Sequence, residues 1–509
     1  MTDPLRVLLV AGEFPLASET FVRRQCLELV EQGVDLDILA LRPGDGQWTE
    51  EDRRAGLPGR TRTVDIDRPL IGRLGRMPGR LLRVGLGSPR TAIAAVSPSL
   101  GWRAMSGQLL EIESGLGPRR RYDAIHCEFG PMGRIMLDVV SAGILEGPLS
   151  VAFYGYDITR EIRKHGPEVY ARLFESARLL LPNSEYLASR LRAASAPEEK
   201  VVLHRLGVDL DHFQFVDRRE RSEGTPTLLA VGRFVEKKGF EDLIRAVGLA
   251  GDRSAFRLRI VGDGPLRPRL ESVVAELDLG SKVEMPGWRT PDEVAEEMVR
   301  ADALAMSSVV AADGDMEGLP LVIAEAMSTG LPILGTDHSG IPEAVADGRN
   351  GRVVDEGDIE ALAEALVAFS DPGRRLEAGR EGTGQGPHPG GRQCRITPCE
   401  PAEEPREVPR RHRETPVQGD AAEEGAQEAL DHALAEAEVR EELVGRAAVG
   451  LVAAGQALLA ELREAQPVTD AHERSRDRSQ ALEGRAPGID HTVEAAAMSD
   501  ERPGPERSE

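Results

Sequence analysis

Lysine is nearly missing from this chain. Lys164, Lys200, Lys237, Lys238 and Lys282 are the only lysines among 63 basic residues, and arginine supplies the rest. The bias fits GC-rich codons and sets the adjacent pair Lys237-Lys238 apart. Positive charge is also outweighed. The formal net charge is −23 at pH 7, which argues against a nucleic-acid partner. Cysteine is sparse: Cys26, Cys127, Cys394 and Cys399 show no C-x-x-C spacing. That gives no zinc signature, and it fits a reducing compartment. Long apolar runs are absent too. The longest, residues 447–460, is interrupted by Gln456 and is too short to span a bilayer. The opening "MTDPLRVLLVAGEFP" has no basic lead-in, so it reads as a first strand and not as a signal peptide. A cytoplasmic protein is expected. Finally, residues 380–509 contain no Phe, Tyr or Trp.

With 509 residues, the chain is too long for one compact core. Residues 1–206 alternate strand-like and helix-like segments. "RVLLVAG", "VDLDILAL", "YDAIHCEF", "LSVAFYG", "LLLPNS" and "KVVLHRLG" read as strands. "SETFVRRQCLELVEQG" reads as a helix with Ser18 as its N-cap. Residues 207–226 are polar, end in turn residues and read as a connector. A second alternation fills 227–378, with strands at "TLLAVGRF", "RLRIVGDG", "KVEMPGW", "ADALAMSS", "LPILGTD" and "GRVVD". The fold class is therefore α/β: two doubly wound, Rossmann-like domains facing a cleft. Ligands of such sheets bind at the C-terminal ends of the strands. Residues 379–509 are rich in Glu, Ala, Arg, Pro and Gly, and read as a largely disordered acidic tail.

Three stretches carry chemistry. In "VGRFVEKKGFEDLI" a strand ends at Gly232-Arg233, and a loop with Lys237-Lys238 leads into a helix. Arginine grips phosphate oxygens in pairs and lysine acts as a point charge, so the turn suits a diphosphate; a solvated basic loop is the plain alternative. "IVGDGPLRPRLE" contains Gly262 and Gly264, but Arg267 stands where a dinucleotide fingerprint needs Gly or Ala. That counts against a nicotinamide-dependent dehydrogenase. "DMEGLPLVIAEAMSTGLP" places Glu325 in the middle of a short helix that is apolar on nearly every side. Pro320 suits its first turn and Gly330 its end. A buried glutamate needs a partner. Either an arginine of the same domain or ligand hydroxyls could supply it. Glu317 precedes the helix, whose N-terminal amides form an anion site.

In their order and spacing, these stretches resemble the retaining, GT-B-fold glycosyltransferases of family 4. "FPLASETFV", "FYGYDIT", "NSEYLASRL", "GVDLDHF", "PGW" and "HSGIPEAV" add to the match. The resemblance spans residues 5–370 and is strongest to the branch that builds bacterial exopolysaccharides such as colanic acid. It implies that Arg233 and Lys238 bind the donor diphosphate. It implies that Glu317 and Glu325, the E-x7-E pair, contact the transferred sugar and the ribose. Gly262, Gly318, Leu319 and Leu321 complete the implied donor site. Ser18, Glu19, Thr20, Tyr156 and Asp157 fall on the acceptor side, with His126 and Tyr154 near the reacting centre. The implied reaction is a metal-independent, hexosyltransferase-type transfer with no cofactor. Its donor is a nucleoside diphosphate sugar, and its acceptor a growing, lipid-linked glycan.

The chain departs from that pattern in three places. "HCEFG" keeps His126 but puts Glu128 where relatives often carry a second histidine, and "FYGYD" has Tyr154 in a place often held by histidine. After "DPGRRLEAGRE" the family's closing aromatic helix is replaced by "GTGQGPHPGGRQCRITPCEP", which reads as a frameshift near residue 380 or as an acidic extension. Residues 68–87 place Arg73, Arg76, Arg80 and Arg83 on one side and Leu70, Leu74, Met77 and Leu81 on another. This stretch reads either as a basic amphipathic segment on an anionic membrane or, because Pro78-Gly79 interrupts it, as two short surface helices. Two rivals to the transferase remain: a GT-B-fold nucleotide-sugar epimerase, and a catalytically silent scaffold.

Overall fold

A computed structural model of the chain describes residues 4–218, 225–373, 375 and 393–394. Two six-stranded sheets dominate it. The first contains β1 (Arg6–Phe14), β2 (Asp35–Pro43), β3 (Thr61–Thr63), β4 (Ala124–Glu128), β5 (Leu149–Phe153) and β6 (Leu179–Pro182), in the order β3-β2-β1-β4-β5-β6. After the two-residue β7 (Val208–Asp209), the second sheet is built from β8 (Thr227–Val231), β9 (Arg257–Val261), β10 (Val283–Gly287), β11 (Ala303–Met306), β12 (Ile333–Thr336) and β13 (Gly351–Val354). Its order, β10-β9-β8-β11-β12-β13, repeats that of the first. Every pairing within both sheets is parallel. This is the doubly wound α/β class expected from the alternation.

The reason lies in the strands. β4 and β5 are buried at every position, as strands covered by helices on both faces must be. In β8, Leu228 and Ala230 join one hydrophobic cluster and Leu229 joins the other, so alternate residues feed the cores on opposite faces of the sheet. A single larger cluster, from Leu8 to Val201, holds the first lobe together.

Four local expectations change. "KVVLHRLG" forms no strand. Val201 makes one isolated bridge to Leu180, and the Val202 and His204 amides bond to the carbonyls of Leu180 and Pro182. The helix after β1 starts at Thr20 with Glu19 as N-cap and no side-chain cap, so Ser18 lies outside it and is exposed. Pro320 is the N-cap of its helix and not part of the first turn. Residues 70–87 form one helix that contains Pro78, not two. In that helix Met77 and Leu81 pack on the core and Val84 is buried. Arg80 pairs with Glu111, and Arg73 bonds the Ile66 carbonyl at 3.3 Å. Arg76 and Arg83 stay exposed, and so do Ile71, Leu74, Leu82 and Leu86.

The altered reading frame and the disorder expected of residues 379–509 concern positions outside the described residues, apart from the pair Gln393–Cys394, which lies antiparallel to β7.

Candidate active site

The site begins where β8 and β9 end. A Cβ on Gly262 would stand 1.9 Å from the Gly232 carbonyl oxygen, and Gly262 has φ +138°. Only glycine lets these two turns touch. Arg233 follows Gly232, is exposed, and forms no ion pair among the described residues. The next turn, Glu236–Lys238, brings both lysines to one carboxylate. Lys238 Nζ lies 3.3 Å and Lys237 Nζ 3.5 Å from Glu317 Oε1. Lys237 also donates to Asp315 Oδ1 at 3.1 Å and to the Met316 carbonyl at 3.4 Å. Burial alone would raise the Glu317 carboxyl, but the two lysines outweigh it and bring it to about 2. At neutral pH Glu317 is a carboxylate and can only accept hydrogen bonds.

The backbone of Glu317 is held as firmly as its side chain. Its amide donates to His338 Nε2 at 3.2 Å, and His338 Nδ1 lies 2.8 Å from Glu356 Oε2. An imidazole that accepts at Nε2 carries its proton on Nδ1, so that proton goes to Glu356. The helix Leu321–Ser328 then starts beside Glu317, and Gly330 follows its end with φ +77°. Its Val322, Ile323, Ala324 and Ala326 are buried. Among the described residues no arginine pairs with Glu325. Desolvation pushes its carboxyl up to about 7. The helix thus carries an acid with no charged partner among the described residues.

The first lobe meets this site with different chemistry. Phe21, from the helix after β1, and Phe129, Tyr154 and Tyr156, which follow β4 and β5, form an aromatic wall, with ring centroids 4.7 Å apart for Phe21 and Tyr154, and 5.2 Å for Phe129 and Tyr156. Behind it, the Tyr154 hydroxyl donates to Glu128 Oε2 at 2.8 Å. Glu128 is fully buried, and its Oε1 has no hydrogen-bond partner. His126 Nε2 lies 3.3 Å from that oxygen without hydrogen-bonding geometry, while Nδ1 contacts Ser150 Oγ at 3.0 Å. Burial, then the Glu128 and Glu13 carboxylates, raise the Glu19 carboxyl to about 8, and Arg233 from the other lobe opposes the rise. Asp157 is buried and accepts from the amides of Gly130, Tyr154 and Gly155, so it shapes the turn from behind. Thr20 opens its helix at the surface.

The two lobes touch beside Glu317. A Cβ on Gly155 would stand 2.3 Å from the Met316 carbonyl oxygen, and one on Gly318 would stand 2.6 Å from that of Tyr154. Asn183 and the backbone of Leu319 exchange hydrogen bonds across the same seam. Lys237, His338, Asn183 and Glu128 were not among the expected site residues. Lys237 carried a signal in the isolated lysine pair, His338 in "HSGIPEAV", Asn183 in "NSEYLASRL" and Glu128 as a departure in "HCEFG", but none of these motifs showed which groups would meet. Among the described residues no three His, Cys, Asp or Glu side chains form a group that could hold a metal ion.

Two parallel six-stranded sheets whose lobes meet at a seam, with a basic turn and a helix N-terminus at the strand ends of the second, define a GT-B-type protein. Known structures agree on the fold. HepE of Anabaena, crystallised with UDP and glucose, superposes with a TM-score of 0.54 at 16% identity, over 74% of this chain and 93% of its own. Sucrose-phosphate synthase from Thermosynechococcus elongatus gives 0.54 at 19% identity, over 74% and 92%. The family model described as glycosyl transferases group 1 matches residues 213–382. WcaL of Salmonella typhimurium, assigned to colanic acid biosynthesis as a glycosyltransferase, is 36% identical over 72% of this chain and 91% of its own length. The amylovoran biosynthesis glycosyltransferase AmsK of Erwinia amylovora is 31% identical over 72% and 91%. The chain belongs to the group 1 glycosyltransferases.

Proposed function

We propose that the protein transfers a hexose, with retention and without a metal ion, from a nucleoside diphosphate sugar to a growing, lipid-linked exopolysaccharide. One observation carries the reading: Glu317 is fixed as a carboxylate by Lys237 and Lys238, beside an unpaired Arg233 and the N-terminus of an apolar helix. Arg233 and Lys238 grip the diphosphate. Gly262 and Gly318 allow the close backbone packing that shapes the donor site, and the Leu319 and Leu321 segment lines the diphosphate's path. Glu325 takes the ribose hydroxyls and Glu317 the hydroxyls of the departing sugar. Fixed cations and helix amides stabilise charge as it develops on the leaving phosphate. The acceptor attacks from the face the phosphate leaves, and a phosphate oxygen takes its proton. Ser18, Glu19, Thr20, Tyr154 and Tyr156 present the acceptor, with His126 and Asp157 supporting them. The polysaccharides that WcaL and AmsK help to build and the UDP bound to HepE support the acceptor and donor classes.

The acceptor reading extends to the membrane. Among the described residues no helix is long and apolar enough to cross one. The helix Leu70–Gly87, however, exposes Ile71 and Leu86 by 86% and 82%, with Leu74 and Leu82 on the same face and Arg76 and Arg83 beside it. An apolar stripe flanked by arginine suits the inner face of an anionic membrane, where a lipid-linked acceptor would lie. The test is release of UDP or GDP from their common sugar conjugates in the presence of bacterial lipid extract. Release that Glu317→Gln abolishes supports a transferase. Binding of nucleotide without release from any donor points to a silent scaffold.

A further inference from the structure

The loop that carries Glu317 is held from both lobes. Within the second lobe, Lys237 and His338 fix it. Across the seam, Asn183 Oδ1 accepts from the Leu319 amide at 3.2 Å, and Asn183 Nδ2 donates to the Leu319 carbonyl at 3.3 Å. Both residues are buried. A side-chain amide that meets a backbone amide in both directions fixes its position and orientation together. Asn183 follows β6, and Leu319 lies two residues after Glu317.

Two further contacts make this a built junction. Glu343 of the second lobe accepts from the Glu185 and Tyr186 amides of the first at 3.0 and 2.9 Å, and so satisfies the first turn of the helix Glu185–Ala193 from outside. Arg205 holds the same carboxylate at 2.8 Å. The backbone is trimmed to allow the approach. A Cβ on Gly318 would stand 2.2 Å from Asn183 Oδ1, and one on Gly340 would stand 2.7 Å from the Ser184 Cβ.

We propose that Asn183 is a positioning residue that completes the placement of the Glu317 loop from the opposite lobe, adding to the hold of Lys237, Lys238 and His338, so that the catalytic carboxylate reaches its working position when the lobes are closed. Diphosphate affinity then rests on the second lobe, and turnover needs both. A donor bound to an open molecule finds the Glu317 loop without its support from Asn183, which would limit loss of the sugar to water before the lobes close. The inference rests on the proposed role of Glu317.

The experiment uses the full chain, Asn183→Ala and Glu343→Gln. Hydrogen exchange is followed in the peptide that contains Leu319, and UDP and GDP binding by calorimetry. Exchange at Leu319 is expected to speed up about tenfold or more in Asn183→Ala, because its amide loses its acceptor. The melting temperature should fall by no more than a few degrees, and nucleotide affinity should stay close to wild type. With a nucleotide sugar that the wild type turns over, kcat should fall by about 10–100-fold while donor KM stays within about threefold. Glu343→Gln keeps an acceptor oxygen for the helix amides and should give a smaller loss of the same kind. Unchanged exchange at Leu319 overturns the inference, whatever the nucleotides do. Nucleotide affinity and melting temperature that fall together overturn it too, since they mark a merely structural role. If neither UDP nor GDP binds the wild type, the transferase reading fails instead, and Leu319 exchange still decides whether Asn183 holds the loop.

Discussion

In the second lobe the central acid, Glu317, lies within 3.5 Å of two lysines and is charged. In the first lobe the central acid, Glu128, is fully buried, has one tyrosine hydroxyl on one oxygen, and has no hydrogen-bond partner on the other. The two halves share a strand order but treat polar groups in opposite ways. The second concentrates fixed charge at a turn and a helix end, which suits a ligand of constant shape and charge, such as a diphosphate. The first sets carboxyl groups behind aromatic rings, which suits a neutral, hydroxyl-rich ligand held by contact area and a few hydrogen bonds. The same fold thus supplies an electrostatic half and a packing half, and their difference can be tested.

The sharpest test is Glu317→Gln. It removes the acid but keeps the shape, and leaves Lys237 and Lys238 without their partner. Turnover is expected to fall by about 10²–10³-fold, read as release of UDP or GDP. Nucleotide binding should survive, because the freed lysines still face the phosphates. A loss of binding equal to the loss of turnover would erase the distinction between charge that binds and charge that reacts. A smaller effect is expected on the first lobe's outer face. Ile71→Ser together with Leu86→Ser should weaken sedimentation with phosphatidylglycerol vesicles by about tenfold or more, with no change in nucleotide affinity. Equal binding by wild type and variant would leave that helix without a membrane role.

The smallest effect is on stability. The Glu325 carboxyl is raised to about 7 from 4.5, so the folded state favours its protonated form. That contribution is fully present below pH 4.5 and is lost as pH rises through 7. Glu325→Gln should therefore melt a few degrees above wild type at pH 8, by about 1–3 kcal/mol at most, and with it near pH 4.5. Added UDP or GDP should shrink the gap at pH 8 if ribose hydroxyls satisfy the acid. A gap that is the same at both pH values would show that no titration is involved.

How much of this was legible beforehand follows the same division. Eleven of the twelve sheet strands carry apolar residues bounded by turn residues, and each could be read directly, although β9, β10 and β13 also expose residues. The exception is β3, the three-residue edge "TRT", which has no apolar pattern to read. "KVVLHRLG" reads like a strand because it opens on the apolar run Val201-Val202-Leu203, yet only one isolated bridge and two amide hydrogen bonds tie it to β6. Arg233, Lys238, Glu317 and Glu325 stand out because charge beside glycine at a strand end, or in an apolar helix, is locally anomalous. Asn183 is not anomalous. Its meaning comes from Leu319, 136 residues away, and only the folded chain brings the two together. Ser18 and Arg80 illustrate the converse: local rules gave each a role, as helix cap and as surface charge, but the helix begins after Glu19 and the buried Glu111 takes Arg80.

The central claim is that nucleotide binding belongs to the second lobe alone. Calorimetry with UDP and with GDP, on wild type, Arg233→Ala and Tyr154→Phe, tests it most directly. The account predicts that one nucleotide binds the wild type, that Arg233→Ala weakens it by about 10–100-fold, and that Tyr154→Phe leaves it unchanged. Equal loss in both variants, or no binding of either nucleotide, would contradict it.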